Sequence, residues 1–342
     1  MAEKVSVVIP NWNGARWLPL CLDSLQRQTF RDFKVYVVDN GSTDGSVELI
    51  KSGYPNITII ENEENLGFAG GINCGFRAAA GELIVALNND VETDPDWLAV
   101  MVGTMDAHPH AGSGASQLMD FRDRDVVDSL GDGFLPIGIS IKAWSGARYP
   151  LQGLEVQEIQ SPCAAASVYR KAMLDRIGLF DEDFFAYMED IDLGLRAQMA
   201  GYRCIFIPGA VVYHIGSATS GGTASAFSIH QTVANTYRVI LKNVPLPLLP
   251  IYVTLTLSTH LFALAASAIP GKLDWVAQNR RSVGRGLINA VRAIPNSLKK
   301  RHKMQHLRTQ TTSNFIEVTR GTWSFKPSKM QQPTKASLRN PT

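Results

Sequence analysis

The sequence is poor in cysteine and, over one long stretch, empty of charge. Its four cysteines, Cys21, Cys74, Cys163 and Cys204, stand far apart with no C-x-x-C pair. That spacing argues against a structural zinc site or a disulfide framework and suits a reducing compartment. The opening Met-Ala-Glu-Lys runs straight into Val5–Ile9 without a charged leader, an apolar core or a small-residue cleavage site, so no secretory signal is expected. The sequons at Asn40 and Asn56 are then chance matches. Surplus charge is also scarce, with 33 Lys+Arg against 31 Asp+Glu. The balance hides a split: residues 1–269 carry 18 basic and 29 acidic side chains, residues 270–342 carry 15 and 2. An acidic body with a basic tail excludes a uniformly basic nucleic-acid binder. It gives the tail a partner of its own, an anionic membrane surface or a polyanion.

What is present is enough apolar material for a large core: 45% of 342 residues. At roughly 100–200 residues per domain the length suggests two domains, or one with an appendage. Over the first ninety positions, β-branched runs at Val5–Pro10, Lys34–Asp39, Ile57–Glu61 and Leu83–Asn88 alternate with helical stretches at 15–28, 44–52 and 68–80. Such alternation predicts βαβ units and an α/β, doubly wound, mostly parallel sheet. A further helix is expected at 94–108 and a loose region of strands and turns at 112–160, including Gly131-Asp132-Gly133. Regular elements return at Lys171–Ile177, Glu189–Ala200, Cys204–Pro208 and Val211–His214.

Between Lys242 and Lys272 no Lys, Arg, Asp or Glu occurs. Three prolines break its first part and leave Ile251–Ile269, long enough to span a bilayer. There Thr256, Thr259, His260, Ala263 and Ser267 share one helical face while Leu255, Leu257, Leu261, Phe262 and Leu264 point elsewhere. The stripe favours a helix lying in an interface or packed on protein over a lone span. The next helix, 273–294, is expected to set Val276, Val283, Leu287, Val291 and Ile294 against four arginines, with Lys299-Lys300-Arg301-His302-Lys303 beyond. A basic amphipathic helix beside an uncharged one is a membrane-surface pattern. The expected organisation is a body over 1–243, a helical membrane-association region over 244–310 and a disordered tail over 311–342.

Chemistry is concentrated at strand ends, where open α/β sheets bind ligands. Asp39, in Val37-Val38-Asp39-Asn40-Gly41-Ser42, can accept hydrogen bonds from a base or ribose, or can simply cap its turn. Asn88-Asn89-Asp90 offers oxygen donors suited to Mg2+ or Mn2+ shared with substrate phosphates, although the same residues make ordinary turns. Glu189-Asp190-Ile191-Asp192 opens a helix whose dipole favours acids, but the aromatic lead-in from Phe184 needs another reason. A carboxylate there can serve as a general base. His214, at the end of a short strand, gains meaning only if it meets Asp90.

Taken together, and in this order, these segments resemble an inverting family 2 glycosyltransferase of the GT-A fold, closest to its rhamnosyltransferase-like branch. The match runs from Val5–Gly14 through Asp39–Ser42, Asn65–Gly75, Leu87–Asp90 and Phe184–Arg196 to His214. The resemblance implies a nucleotide-sugar donor, dTDP-rhamnose being one candidate. Pro10, Asn11, Asn13 and Asp39 would hold the nucleoside, and Asn65, Gly67, Asn88 and Asn89 would line the rest of the donor site. Asp90 and His214 would bind Mn2+ or Mg2+, and Asp190 would be the catalytic base, supported by Glu189 and Asp192. Asn88 stands where the family's D-x-D motif has its first acid. The implied acceptor is a glycan hydroxyl, most naturally polyprenyl-diphosphate-linked, in cell-surface polysaccharide synthesis at the cytoplasmic membrane face. Two alternatives keep the same sheet: a non-catalytic nucleotide-sugar-binding scaffold and a nucleotidyltransferase. The latter would want more basic residues in the Pro10–Arg16 turn than Arg16 alone.

Overall fold

The computed structural model describes residues 2–148, 154–216, 225–269 and 274–321. Its first seven elements realise the expected alternation: β1 (Val5–Asn11), α1 (Leu18–Gln26), β2 (Phe33–Asn40), α2 (Ser46–Gly53), β3 (Thr58–Asn62), α3 (Gly67–Ala78) and β4 (Leu83–Leu87). β1 pairs in parallel with β2 and β4, and β2 with β3. Val5, Val7 and Ile9 pack with Leu18 and Leu22 of α1, while Val8 faces Ile72 and Phe76 of α3. An unbroken apolar strand is thus buried on both faces.

The second half of the sheet is mixed. It comprises β5 (Val91–Thr93), α4 (Trp97–Ala107), β6 (Ala111–Asp120), β7 (Val127–Ser129), β8 (Asp132–Phe134), β9 (Ser140–Lys142), β10 (Gln157–Ile159), β11 (Ala166–Arg170), α5 (Lys171–Ile177), α6 (Glu189–Met199) and β12 (Arg203–His214). The main sheet runs β10-β12-β6-β11-β4-β1-β2-β3, and β8 with β9 forms a separate hairpin. β11 lies antiparallel to both β4 and β6. The two short strands expected near Cys204 and Val211 are one strand, β12, whose register breaks between Phe206 and Val211. Pro208, which has no N–H to donate, and Gly209 at φ 80 account for the break.

Four helices follow: α7 (Ala226–Asn243), α8 (Leu249–Ala266), α9 (Asp274–His306) and α10 (Thr312–Gly321). α8 is inverted relative to a soluble surface helix. Its polar stripe faces the protein: Thr256 is buried against Gly138, and His260 Nδ1 lies 3.1 Å from Tyr237 Oη. Ser267 Oγ accepts from Arg280 Nε at 3.0 Å. Its apolar side faces out, with Ile251 53% and Phe262 72% exposed beside Leu255, Leu257 and Leu261. Among the described residues one helix, Leu246–Ala266, is long and apolar enough to cross a membrane, and only 11% of it is buried.

α9 departs from the expected pattern. Val276 and Val283 are buried, the latter beside Ile229, Val233 and Tyr237 of α7, but Val291 and Ile294 are exposed. The close crossing is made by small residues instead, with Gly286 against Val233 and with Ala290 and Ala293 buried. α9 also continues past Pro295 to the basic cluster. There Lys300 pairs with Asp181 and Asp183, and buried Lys242 pairs with Asp181 and Asp192. α10 lies within the stretch expected to be tail. Its Phe315 is fully buried against Tyr252, a contact 63 positions away in sequence that no local pattern announces. The remaining tail, 322–342, is outside the described residues.

Candidate active site

The C-terminal ends of β1 and β2 lie in register, with Asn11 opposite Asp39. Asn11 Nδ2 donates to Asp39 Oδ1 at 2.9 Å and to Ser42 Oγ at 3.2 Å, and Ser42 N–H donates to Asp39 Oδ2 at 2.9 Å. Asp39 is 3% exposed with both oxygens engaged, although each keeps a free lone pair. Asn89 Nδ2 extends the chain, donating to Asn11 Oδ1 at 2.8 Å. Gly14 packs so closely beneath these amides that a Cβ there would collide with both Asn11 and Asn89. Exposed Asn13, at φ 51, donates its N–H to Ser42 Oγ at 2.8 Å, and half-buried Pro10 borders the same end. Asn65 Oδ1 caps Gly67 N–H at 2.8 Å, and the Gly67 carbonyl accepts from Asn40 Nδ2 at 3.0 Å.

One residue beyond Asn89 the donors change to charge. Asp90, 4% exposed, has Oδ1 3.5 Å from His214 Nε2, and Asn88 Nδ2 lies 3.5 Å from the same nitrogen. His214 Nδ1 is held 2.7 Å from Asp128 Oδ2. Burial alone would lower the imidazole pKa, but the hydrogen bonds to Asp128 and Asp90 outweigh it and raise it to about 9. Burial would likewise raise Asp128, yet His214 and Lys142 draw it down to about 2. A carboxylate behind one ring nitrogen, fixing which nitrogen faces a second carboxylate, is the arrangement that orients a metal-ligating histidine. This donor set fits Mn2+, or Mg2+ through Asp90, provided substrate oxygens complete the shell.

The third part is built on strain. Phe185, Tyr187 and Met188 all take positive φ, at 60, 71 and 71°, immediately before α6. Such conformations cost about 1–3 kcal/mol each in non-glycine residues. Buried Asn235 of α7 holds them, its Nδ2 within 2.9 Å of the Phe184, Ala186 and Tyr187 carbonyls. From the other side Ala69 N–H donates to the Phe185 carbonyl at 3.1 Å, and Gly67 leaves room that a Cβ would fill. The aromatic lead-in is therefore a braced turn that presents Glu189 and Asp190.

Asp190 accepts from Ile191 N–H at 2.8 Å and Ala164 N–H at 3.3 Å. Burial raises its pKa, and these hydrogen bonds, with one from Asp132, partly offset the rise. Glu189 is 6% exposed, and its Oε2 has no hydrogen-bond partner. Burial and the neighbouring Asp190 charge hold it well above the usual carboxylate range. Asp192 belongs elsewhere: fully buried, it pairs with Arg196 and Lys242 and ties α6 to α7. Asp132 and Cys163, neither singled out from the sequence, bring ligating atoms within 4.8 Å of Asp190. Burial drives the Cys163 thiol well up, so in the absence of a metal it stays protonated.

One short backbone segment joins these parts. Ala164 N–H holds Asp190, while the carbonyl of the next residue, Ala165, accepts Asn88 N–H at 2.9 Å. Nucleoside-type, metal-type and base-type groups thus form one strip along the sheet edge. The family description Glycosyl transferase family 2 matches residues 6–178, and Glycosyl transferase family group 2 matches 95–268. The chain belongs to glycosyltransferase family 2. The transferase is 27% identical over 255 residues to an N-acetylglucosaminyl-diphospho-decaprenol L-rhamnosyltransferase of Mycobacterium tuberculosis, covering 68% of this chain and 82% of that one. Its fold is that of S. aureus TarS solved with UDP-GlcNAc (TM-score 0.56, 18% identity, 93% and 91% of the two chains). It also matches the Pyrobaculum calidifontis mannosyltransferase solved with GDP-Man and Mn2+ (TM-score 0.53, 21% identity, 95% and 88%). The fold of this transferase is therefore GT-A.

Proposed function

We propose that this glycosyltransferase moves a sugar, with inversion and with a divalent metal, from a nucleotide-sugar to a hydroxyl of a lipid-linked glycan at the cytoplasmic membrane face. The observation that carries the reading is the single strip from Asp39 through Asn11, Asn89 and Asp90 to His214, with Asp190 one peptide away. Pro10, Asn11, Asn13 and Asp39 receive the nucleoside, and Asn65, Gly67, Asn88 and Asn89 shape the sugar-diphosphate path. Asp90 and His214 would hold Mn2+ or Mg2+, which would supply charge neutralisation for the diphosphate leaving group. Asp190 takes the proton of the acceptor hydroxyl as its oxygen attacks the anomeric carbon from the face opposite the leaving group. Glu189, neutral and with a free oxygen, positions that hydroxyl.

Rhamnose as the transferred group and a polyprenyl-diphosphate-linked acceptor are supported by the name of the mycobacterial relative. The membrane assignment is supported by the outward apolar side of α8 and the basic cluster of α9. The test is transfer from a panel of nucleotide-sugars to a GlcNAc-diphosphate-polyprenol, with and without Mn2+ or Mg2+. Metal-dependent turnover with one donor, lost in Asp190→Asn, is expected. Folded protein without turnover on any donor would leave the scaffold reading in its place.

A further inference from the structure

Asp132 opens β8 and is bound to the base by backbone as well as side chain. Its N–H and carbonyl exchange hydrogen bonds of 2.8 and 3.1 Å with Ser161, and Ser161 Oγ donates to the Asp190 carbonyl at 2.8 Å. Ser129 Oγ donates to Asp132 Oδ1 at 2.9 Å. The Asp132 and Asp190 carboxyl oxygens lie within 4.8 Å of each other, and two carboxyl groups in this position can join in a hydrogen bond only through a proton. Glu189 Oε2 adds a buried, unpartnered acid oxygen beside them. Three acids grouped this closely, with Glu189 and Asp132 buried and Asp190 half-buried, do not all ionise together.

We propose that Asp132 is a positioning residue that carries the one proton shared with Asp190, donating it in a hydrogen bond that keeps Asp190 anionic and aimed at the acceptor hydroxyl. The inference rests on reading Asp190 as the base. In the transfer step the acceptor O–H proton passes to Asp190 and the acceptor oxygen bonds to the anomeric carbon. The bond from that carbon to the diphosphate breaks, with its electron pair leaving on the diphosphate. Asp132 keeps its own proton throughout. The groups facing Asp132 are Asp190 and Glu189 of α6, Lys142 of β9, Asp128 of β7, Cys163 before β11 and Cys204 of β12. Burial first, then the Asp190 charge, raises Asp132 to about 7, which agrees with a proton retained below neutrality.

The test is the pH profile of kcat/KM with the metal-loaded enzyme, together with an infrared titration of protonated carboxyl groups. The wild type loses activity on the alkaline side as Asp132 gives up its proton, and it shows a protonated-carboxyl band that disappears through the same range. Asp132→Asn keeps a donor N–H, so it retains turnover at pH 6 while losing both the alkaline limb and that band. Asp132→Ala drops kcat roughly ten- to hundredfold, the weight of one hydrogen bond to a charged group, with the donor KM unchanged. In Asp190→Asn the Asp132 band persists but titrates at lower pH. An unchanged alkaline limb in Asp132→Asn, or no band that depends on Asp132, would overturn the proposal. Full turnover in Asp190→Asn would instead remove the base reading, while the infrared titration still reports on the shared proton.

Discussion

The Asp39 end and the Asp190 end of the strip are both buried and both acidic, but they treat polar atoms in opposite ways. Around Asp39 the amides of Asn11, Asn89 and Asn40 and the Ser42 turn are matched donor to acceptor, on backbone where Asn13 is the one non-glycine residue in the left-handed region. Around Asp190, carboxyl crowds carboxyl, one oxygen of Glu189 has no partner, and three residues in a row of four are strained. Matched polar groups hold a ligand in place without changing it. Crowded ones store the pKa displacement that proton transfer needs.

The comparison can be broken most sharply at Asp190. Asp190→Asn should lower kcat by about 10²–10⁴, the usual weight of a general base, with nucleotide affinity by calorimetry unchanged. Equal loss of affinity would mean that the two ends are not divided by task. Asp39→Ala should do the reverse, weakening nucleotide binding about ten- to hundredfold by loss of a charged hydrogen-bond partner, with kcat at saturation nearly intact. Asn235→Ala should destabilise the fold by roughly 2–3 kcal/mol in urea melts, since the strained turn loses its brace and buried carbonyls lose partners.

A pH series sharpens the contrast further. Asp132 is raised from its ordinary acid range to about 7 by burial and by Asp190. The native state therefore holds a proton that the unfolded chain has released, so this contribution to stability is full at acid pH and is lost as pH rises through about 7. Over that span the wild type should lose melting temperature relative to Asp132→Asn, which mimics the protonated acid and does not titrate. The smallest effect on the site is expected from Leu261→Glu with Phe262→Glu on α8. Catalysis of a soluble acceptor analogue should persist while flotation with anionic vesicles falls roughly a hundredfold or more, about the loss of two large buried apolar side chains.

The parallel half of the sheet was legible because β1, β2 and β4 are largely apolar runs that end in, or lead directly into, Asn or Asp, a pattern complete within each segment. Asp39, Asp90 and Asp190 could be picked out for the same reason. Asp128 and Asp132 could not. β7 and β8 are three residues each, too short for any periodicity, and their positions depend on Ser161, Lys142 and His214 far along the chain. Gly131-Asp132-Gly133 reads only as a turn until β8 pairs. Asp192 looked like a companion to Asp190 because it sits two residues away, but two helical residues rotate it by about 200° and direct it toward Lys242 instead. Val291 and Ile294 misled similarly: apolarity marked a buried face, while the close α7–α9 crossing needed alanine and glycine.

Lys242 gives the tail a different standing from an appendage. It lies at the boundary where the charge-free stretch begins, yet it is sealed between Asp181 and Asp192, and Lys300 of α9 closes on the same Asp181. A chain ending at this point would leave Asp181 and Asp183 without Lys300, directly before the turn that presents Asp190. The tail and the turn before α6 are thus packed as one unit. A variant that discards the tail must first redesign the packing on the approach to Asp190.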